Sequence, residues 1–452
     1  MIAKMGCLFD WQAQRELAAR ELLATIEQRR DTFTKMGLSE RSRVFLPCSS
    51  SFDFFASLMS LWSLGAAVIP LDTRLTPTET AALKLKAGDS VSLPPQIDWT
   101  SGKQPLLKWP QASRRESLIL FTTGTLSVPR GVILSSLALE NKIASLGSTL
   151  PLSDMSSTLC FLPLSFGHGL IGNSLVPWLN GASLTIMPTM DVASAQALPD
   201  VLRHRGVTFF SSVPGVWALL ARMIEPVLGL SVKRIFCASA PMGENIFKTI
   251  QKLFPGVPLH NVYGLTEMAS WIAMSPEIET FRPGQIGFSI DGEVKLENHE
   301  IYVRGDSAMN GYLGETPRAS GDWIRTSDRA DYRAPDGYIL RGRLGNIVNK
   351  GGIKIQLEEI EDLLQSHPNV RGALCFKTED REVGENFEVG LVLADSTPDA
   401  REKVQSWFAD RVSLQRRPSR WHFINSLPVN ARGKPDRSEL KRTIGQVANS
   451  QK

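Results

Sequence analysis

Cysteine is scarce in this 452-residue chain, and its five copies, Cys7, Cys48, Cys160, Cys237 and Cys375, lie far apart with no C-x-x-C spacing. That pattern argues against a disulfide framework and a thiolate zinc site, and it fits a reducing, cytoplasmic setting. An excess of charge of one sign is lacking too. Fifty Lys and Arg against 46 Asp and Glu leave a net +4, too little at this length to point to nucleic acid or an anionic membrane. The N-terminus has Lys4 but no long apolar core, so no secretory leader is expected. Two weakly polar stretches, 52–71 and 160–187, are interrupted, the first by Asp53 and three serines, the second by Pro163, His168, Asn173, Pro177 and Asn180. Neither reads as a membrane span; the first reads as a buried helix followed by a strand. No internal repeat or low-complexity tract is present.

What is present is an ordinary globular balance, 42% apolar and 21% charged, in a chain long enough for more than one domain. Helical patterns over 11–29, 52–64, 192–204 and 216–223 alternate with short apolar strands over 43–46, 67–70, 183–187 and 207–211. Such alternation predicts an α/β fold, a large N-terminal domain of parallel-rich sheets flanked by helices. From Glu293 the texture shifts to short alternating segments (293–296, 300–304, 337–341), a small β-rich subregion. After 341–346 come a hairpin over 349–355, a helix over 357–365 and strands over 370–377 and 388–394, which make a small α+β C-terminal domain. The expected division is an N-terminal core over 1–341, a hinge over 342–346 and a mobile C-terminal domain over 347–452.

One loop stands out. After the apolar run Leu118-Ile119-Leu120-Phe121, the segment Thr122-Thr123-Gly124-Thr125-Leu126-Ser127-Val128-Pro129-Arg130-Gly131 crowds hydroxyls and glycines together with a cation. Glycine lets backbone N–H groups approach an anion, hydroxyls add donors, and Arg130 adds charge; the combination suits nucleotide phosphates. It is not a Walker-type loop. Four further segments follow: Asn261-Val262-Tyr263-Gly264-Leu265-Thr266-Glu267, Ile324-Arg325-Thr326-Ser327-Asp328, Gly342-Arg343-Leu344-Gly345-Asn346, and Gly433-Lys434.

In this order the five segments resemble the signature motifs of the adenylate-forming (AMP-binding) superfamily, over roughly 45–440. That superfamily includes acyl- and aryl-CoA synthetases, firefly-type luciferases and peptide synthetase adenylation domains. The resemblance implies an AMP-forming acid–thiol ligase. Such an enzyme activates a carboxylic acid with ATP to an acyl-adenylate, releases pyrophosphate, and transfers the acyl group to CoA. A stand-alone ligase loading a separate phosphopantetheinyl carrier protein is the alternative.

The resemblance also implies residue roles. Thr122, Thr123, Gly124, Thr125, Ser127 and Arg130 would cradle the phosphates, and Glu267 with Thr125 would hold Mg2+. Thr266 would donate to the α-phosphate. Tyr263, Gly264, Asn261 and the Ser239-Ala240-Pro241 loop would line the adenine pocket, while Asp328 and Arg343 would take the ribose. Lys434 is the expected transition-state cation. Gly351 and Gly352 would guide the pantetheine arm, and Phe166 and His168 belong to an element gating the acid pocket. His168 reads equally as a structural residue, and Trp217 and Trp271 equally as core.

No Asp stands where amino-acid-activating relatives hold an α-ammonium, which favours an acid without that amine. The chain departs from the family pattern at Leu126, Ser127, Arg130, Ser327 and Gly345. These departures keep open a degenerate nucleotide-binding protein, against which Glu267, Asp328, Arg343 and Lys434 argue. A luciferase-like oxidase is disfavoured by the intact Gly-rich hairpin.

Overall fold

The alternating apolar runs become a parallel half-sheet. A computed structural model describes residues 4–75, 77–93, 97, 109–122, 130–240, 242–350, 353–380, 384–412, 414–430 and 433–450. Within these, strands Leu259–Leu265, Arg234–Ala238, Phe209–Ser212, Ser157–Cys160, Ser183–Ile186 and Leu8–Asp10 lie side by side in parallel. Beyond Leu259–Leu265 the same sheet continues antiparallel through Ser270–Met274, Gln285–Ser289, Gly337–Arg343, Ile324–Arg333, Glu300–Arg304 and Glu293–Glu297. This is the β-rich subregion expected from the short alternating segments. A second sheet holds Gly311–Tyr312, Arg130–Ser135, Glu116–Thr122, Ala67–Asp72, Arg43–Cys48 and Val91–Ser92.

The apolar stretch at 52–71 resolves into the helix Phe52–Ser63, buried from Phe54 onward, and the buried strand Ala67–Asp72. No helix of the described residues is long and apolar enough to cross a membrane. The helix Val192–His204 has the bounds its 3.6-residue periodicity predicts, and Asp191 caps it by accepting from the Ser194 N–H at 2.8 Å.

The helix expected over 11–29 runs instead over Ala19–Lys35. Ahead of it, Leu8–Asp10 pairs antiparallel with Arg15–Leu17 and parallel with Ser183–Ile186. Leu8 and Leu17 are register partners and both are buried. The Asp10 carboxylate closes the turn by accepting from the Ala13 N–H (2.9 Å), and it also accepts from the Phe52 N–H (3.1 Å). Pairing with a strand some 175 positions away overrides the local helical pattern.

Residues after 346 build a core of their own, with Val348, Ile360, Val389 and Phe408 at its centre. It packs the helices Leu357–Gln365 and Pro398–Ala409 on a sheet of Ile353–Gln356, Ile347–Lys350, Gly384–Leu393, Val370–Asp380 and Trp421–Phe423. The larger core runs from Met5 to Ala330.

Candidate active site

The phosphate-type loop springs from a hairpin. Glu116–Thr122 and Arg130–Ser135 are antiparallel, with Thr122 opposite Arg130. The segment between them, which carries Thr123, Gly124, Thr125 and Ser127, lies outside the described residues, as do Pro241, Gly351 and Gly352. At the loop's base, Arg130 donates to Glu315 (3.0 and 3.3 Å) and sets its Cζ over the Tyr312 ring, 3.4 Å from the centroid. The Tyr312 hydroxyl in turn donates to Glu267 Oε1 at 2.9 Å. Burial first, then the Glu267 charge, push the Tyr312 phenol well up, so it stays a donor. Local sequence around Tyr312 gives no hint of this bond. It follows from the pairing of Gly311–Tyr312 with Val132 and Ile133, which brings position 312 to position 267.

Glu267 sits in the one-turn helix Thr266–Met268, directly after the strand Leu259–Leu265. Among the described residues no group of three His, Cys, Asp or Glu could hold a metal. A lone carboxylate fits Mg2+ of the kind that takes its other ligands from phosphate oxygens and water.

Asp328 is buried, and both its oxygens are engaged: Tyr263 donates its hydroxyl at 2.7 Å and Arg343 its Nε at 2.5 Å. Asp328 and Arg343 are register partners on adjacent strands, so Arg343 is held by sheet pairing. The Tyr263 phenol is raised well above its ordinary value by burial and then by the Asp328 charge. Ser327, which takes the position of the family's usual glycine, has φ +61°. The substitution therefore costs backbone strain rather than room, on the order of 1–2 kcal/mol. The Asn261 amide is buried and donates one of its two N–H groups to the Gln285 carbonyl at 2.7 Å.

A cavity of about 350 Å³ opens beside these groups. Phe166, His168, Ser239, Gly264, Thr266 and Lys434 all line it. His168 has both ring nitrogens engaged, Nδ1 with Ser239 Oγ at 2.8 Å and Nε2 with Ser211 Oγ at 2.6 Å. Burial, with the nearby Lys434 charge, lowers its pKa to about 3, so the ring is neutral. His168 is thus both a wall of the cavity and a fixed structural link. Trp271 lines the cavity as well, whereas Trp217 packs against Phe210 and Phe254 in the core.

Lys434 comes from the C-terminal unit on a tight loop. The Lys434 N–H donates to Asn430 Oδ1 (3.2 Å), the Asn430 N–H donates to the Lys434 carbonyl (2.8 Å), and Gly433 turns at φ +70°. The Gly433 carbonyl lies 3.4 Å from the place a Cβ on Gly215 would occupy, which brings this loop onto the cavity rim. Three residues on, Arg437 pairs with Glu361 and with Glu358 (3.3 Å). Glu358 also accepts from Asn346 and from Gln356, whose amide donates to the Arg343 carbonyl at 3.1 Å. The segment 342–346 is thereby tied to the base of the lysine loop. Gly345 itself has no neighbour within 4 Å of a built Cβ.

Known proteins resemble this chain in sequence and in fold. The family model described as AMP-binding enzyme matches residues 6–313. An oxalate–CoA ligase of Arabidopsis thaliana is 26% identical over 71% of this chain, which spans 66% of that relative's length, just under two thirds. The o-succinylbenzoate CoA synthetase of Bacillus subtilis, solved with its acyl-adenylate intermediate, superposes with a TM-score of 0.83 at 19% identity, covering 97% of this chain and 95% of that one. ATP-bound MatB from Rhodopseudomonas palustris gives a TM-score of 0.85 at 18% identity, covering 99% and 97%. At these identities the two structures establish the two-domain adenylate-forming fold.

Proposed function

Because the chain belongs to the AMP-binding enzyme family, we propose that it activates a carboxylic acid with ATP and passes the acyl group to the thiol of CoA. One observation carries the reading: Lys434, delivered from the C-terminal unit, faces the same cavity as Thr266, Ser239 and His168. The ligase names of relatives such as the oxalate–CoA ligase agree with it.

In the first step a carboxylate oxygen attacks the α-phosphorus of ATP. The bond from that phosphorus to the bridging oxygen breaks, and pyrophosphate leaves with the electron pair. Lys434 neutralises the charge gathering between carboxylate and phosphorus, and Thr266 donates to the same phosphate. Asp328, held by Tyr263 and Arg343, presents carboxylate oxygens to the ribose hydroxyls. Ser239, Ala240 and Pro241 flank the base together with Tyr263, Gly264 and Asn261. Glu267, oriented by Tyr312, would hold Mg2+, which when bound offsets phosphate charge. Arg130 and the hydroxyls of 122–127 hold the outgoing phosphates.

In the second step the thiol sulfur attacks the acyl carbon, its proton goes to solvent, and AMP leaves. The C-terminal unit turns about 342–346 for this step, withdrawing Lys434 and bringing Gly351 and Gly352 to the thiol. The proposed setting is cytoplasmic, in keeping with five cysteines that are all free.

The test is acid-dependent pyrophosphate release from ATP, followed by thioester formation with CoA or a holo-carrier protein. Acid-dependent release and a CoA thioester are expected. Thioester on the carrier alone would move the acceptor to a protein, and no acid-dependent release from a broad panel would refute the ligase reading.

A further inference from the structure

One polar side chain joins the two units and has no part in the steps above. Gln356 ends the strand Ile353–Gln356 of the C-terminal sheet and is buried, 6% exposed. Its amide nitrogen donates at 3.1 Å to the carbonyl of Arg343, the last residue of the strand Gly337–Arg343 in the large sheet. The same nitrogen donates to Glu358 Oε2 at 2.5 Å. An oxygen in its place would face a carbonyl and a carboxylate at once, so the amide points its donor end here. Gln356 Oε1 has no hydrogen-bond partner among the described residues, so the polar contribution of the side chain rests on that donor end.

The backbone makes room for these bonds. Gly342 has φ +102°, and a Cβ built there would lie 2.5 Å from Gln356 Nε2 and 2.7 Å from Glu358 Oε2. Both the conformation and the close approach call for glycine. On one side of the Gln356–Arg343 bond, the Arg343 side chain continues to Asp328, and Asp328 to Tyr263. On the other side, Glu358 accepts from Asn346 and pairs with Arg437, which also holds Glu361 and donates to the Cys375 carbonyl. Arg437 opens the helix Arg437–Ser450, three residues after Lys434. A line of hydrogen bonds thus runs from the Asp328 carboxylate to the base of the lysine loop, and the Gln356–Arg343 bond joins the two sheets along it.

We infer that Gln356 is a positioning residue for acyl-adenylate formation: its bond to the Arg343 carbonyl registers the unit carrying Lys434 against the sheet that holds the nucleotide. The inference rests on the ligase reading above. Gln356 does not line the cavity, so it acts through Arg343 and Glu358. A transition-state cation works only where it is aimed, and a displacement of about 1 Å removes much of its effect. In the proposed second step the same unit turns away. One hydrogen bond braced by a carboxylate can hold an orientation and still be given up, which a large apolar interface resists.

The experiment compares two single-turnover rates in Gln356→Met, which keeps the length of the side chain and removes its donor. One is adenylate formation from ATP and the acid giving most pyrophosphate in a broad panel of aliphatic, aromatic and dicarboxylic acids, hexanoate, benzoate and succinate among them. The other is thioester formation from the synthetic adenylate of that acid with CoA. Adenylate formation at saturating ATP and acid is expected to fall about tenfold, the scale of one charge-assisted hydrogen bond. The KM for ATP and the thioester rate are each expected within about twofold of wild type, a split that general damage to the fold would not give. Glu358→Gln, at a side chain that is partly exposed, should show the same selective loss on a smaller scale and keeps the test open should Gln356→Met melt low. In whichever variant melts as the wild type does, adenylate formation at the wild-type rate, or an equal fall in both steps, overturns this inference and leaves the ligase reading standing. No acid-dependent pyrophosphate release by the wild type overturns both.

Discussion

The two sides of the cavity are built by opposite means. On the N-terminal side each functional group is fixed by a partner: Asp328 by Tyr263 and Arg343, Glu267 by Tyr312, His168 by Ser211 and Ser239. On the other side Lys434 rides a loop of a unit with its own core. Polar contacts are among those described across the divide. Asn245 donates to the carbonyls of Gln365 (2.8 Å) and Val370 (3.4 Å), and the Gly433 backbone approaches Gly215. In the proposed cycle the groups that hold the nucleotide are the braced ones, and Lys434, proposed to act in adenylation alone, is carried by the unit proposed to turn. Large apolar interfaces resist such motion, whereas small polar ones permit it.

The largest effect that would sharpen this contrast comes from the Lys434 side. Lys434→Ala should cut acyl-adenylate formation by about 10²–10³-fold with little change in ATP binding; near-wild-type pyrophosphate release would remove Lys434 from the chemistry. On the fixed side, Tyr312→Phe keeps the ring under Arg130 but deletes the donor to Glu267. The Mg2+ needed for half-maximal rate should rise about tenfold, and Glu267→Gln should raise it further. An unmoved Mg2+ curve in both variants would separate Glu267 from the metal.

The smallest effect concerns His168. With its pKa lowered from 6.5 to about 3 by burial and Lys434, the ring should stay neutral between about pH 5 and pH 8, with no titration of its resonance by NMR. Its linkage sign follows. The unfolded chain takes up the proton first as pH falls below 6.5, so stability declines on acidification until about 3 and is unaffected above 6.5. A midpoint near 6.5 in the folded protein would show the ring to be wet and loosely held.

Much of the fold was legible in the sequence because parallel strands and their helices are written locally, as in the helix Val192–His204. The family was legible for a similar reason: each of the five motifs that resemble its signatures is a continuous run. What escaped notice depends on distant pairing. The hairpin of Leu8–Asp10 with Arg15–Leu17 exists because Ser183–Ile186 offers it an edge. Tyr312 meets Glu267 only through Gly311–Tyr312 joining Arg130–Ser135. The left-handed backbones of Ser327 and Ser270 carry no mark in composition, since serine there resembles any loop serine. His168 illustrates the middle case: its element was recognisable, but its neutral, doubly bonded state came from Ser211 and Ser239, each on another strand or strand end.

The proposed mechanism has one lysine-bearing unit, turning at 342–346, serve two half-reactions against a fixed wall. Gly345→Pro tests it most directly, because proline holds φ near about −65° and removes the freedom a pivot needs. Rapid-quench single turnovers with ATP, acid and CoA would follow adenylate and thioester separately, with a thermal melt confirming that the variant is folded. Adenylate is expected at close to the wild-type amount and thioester reduced by at least about tenfold, since Lys434 already faces the cavity in this structure. Thioester formed at the wild-type rate would contradict it.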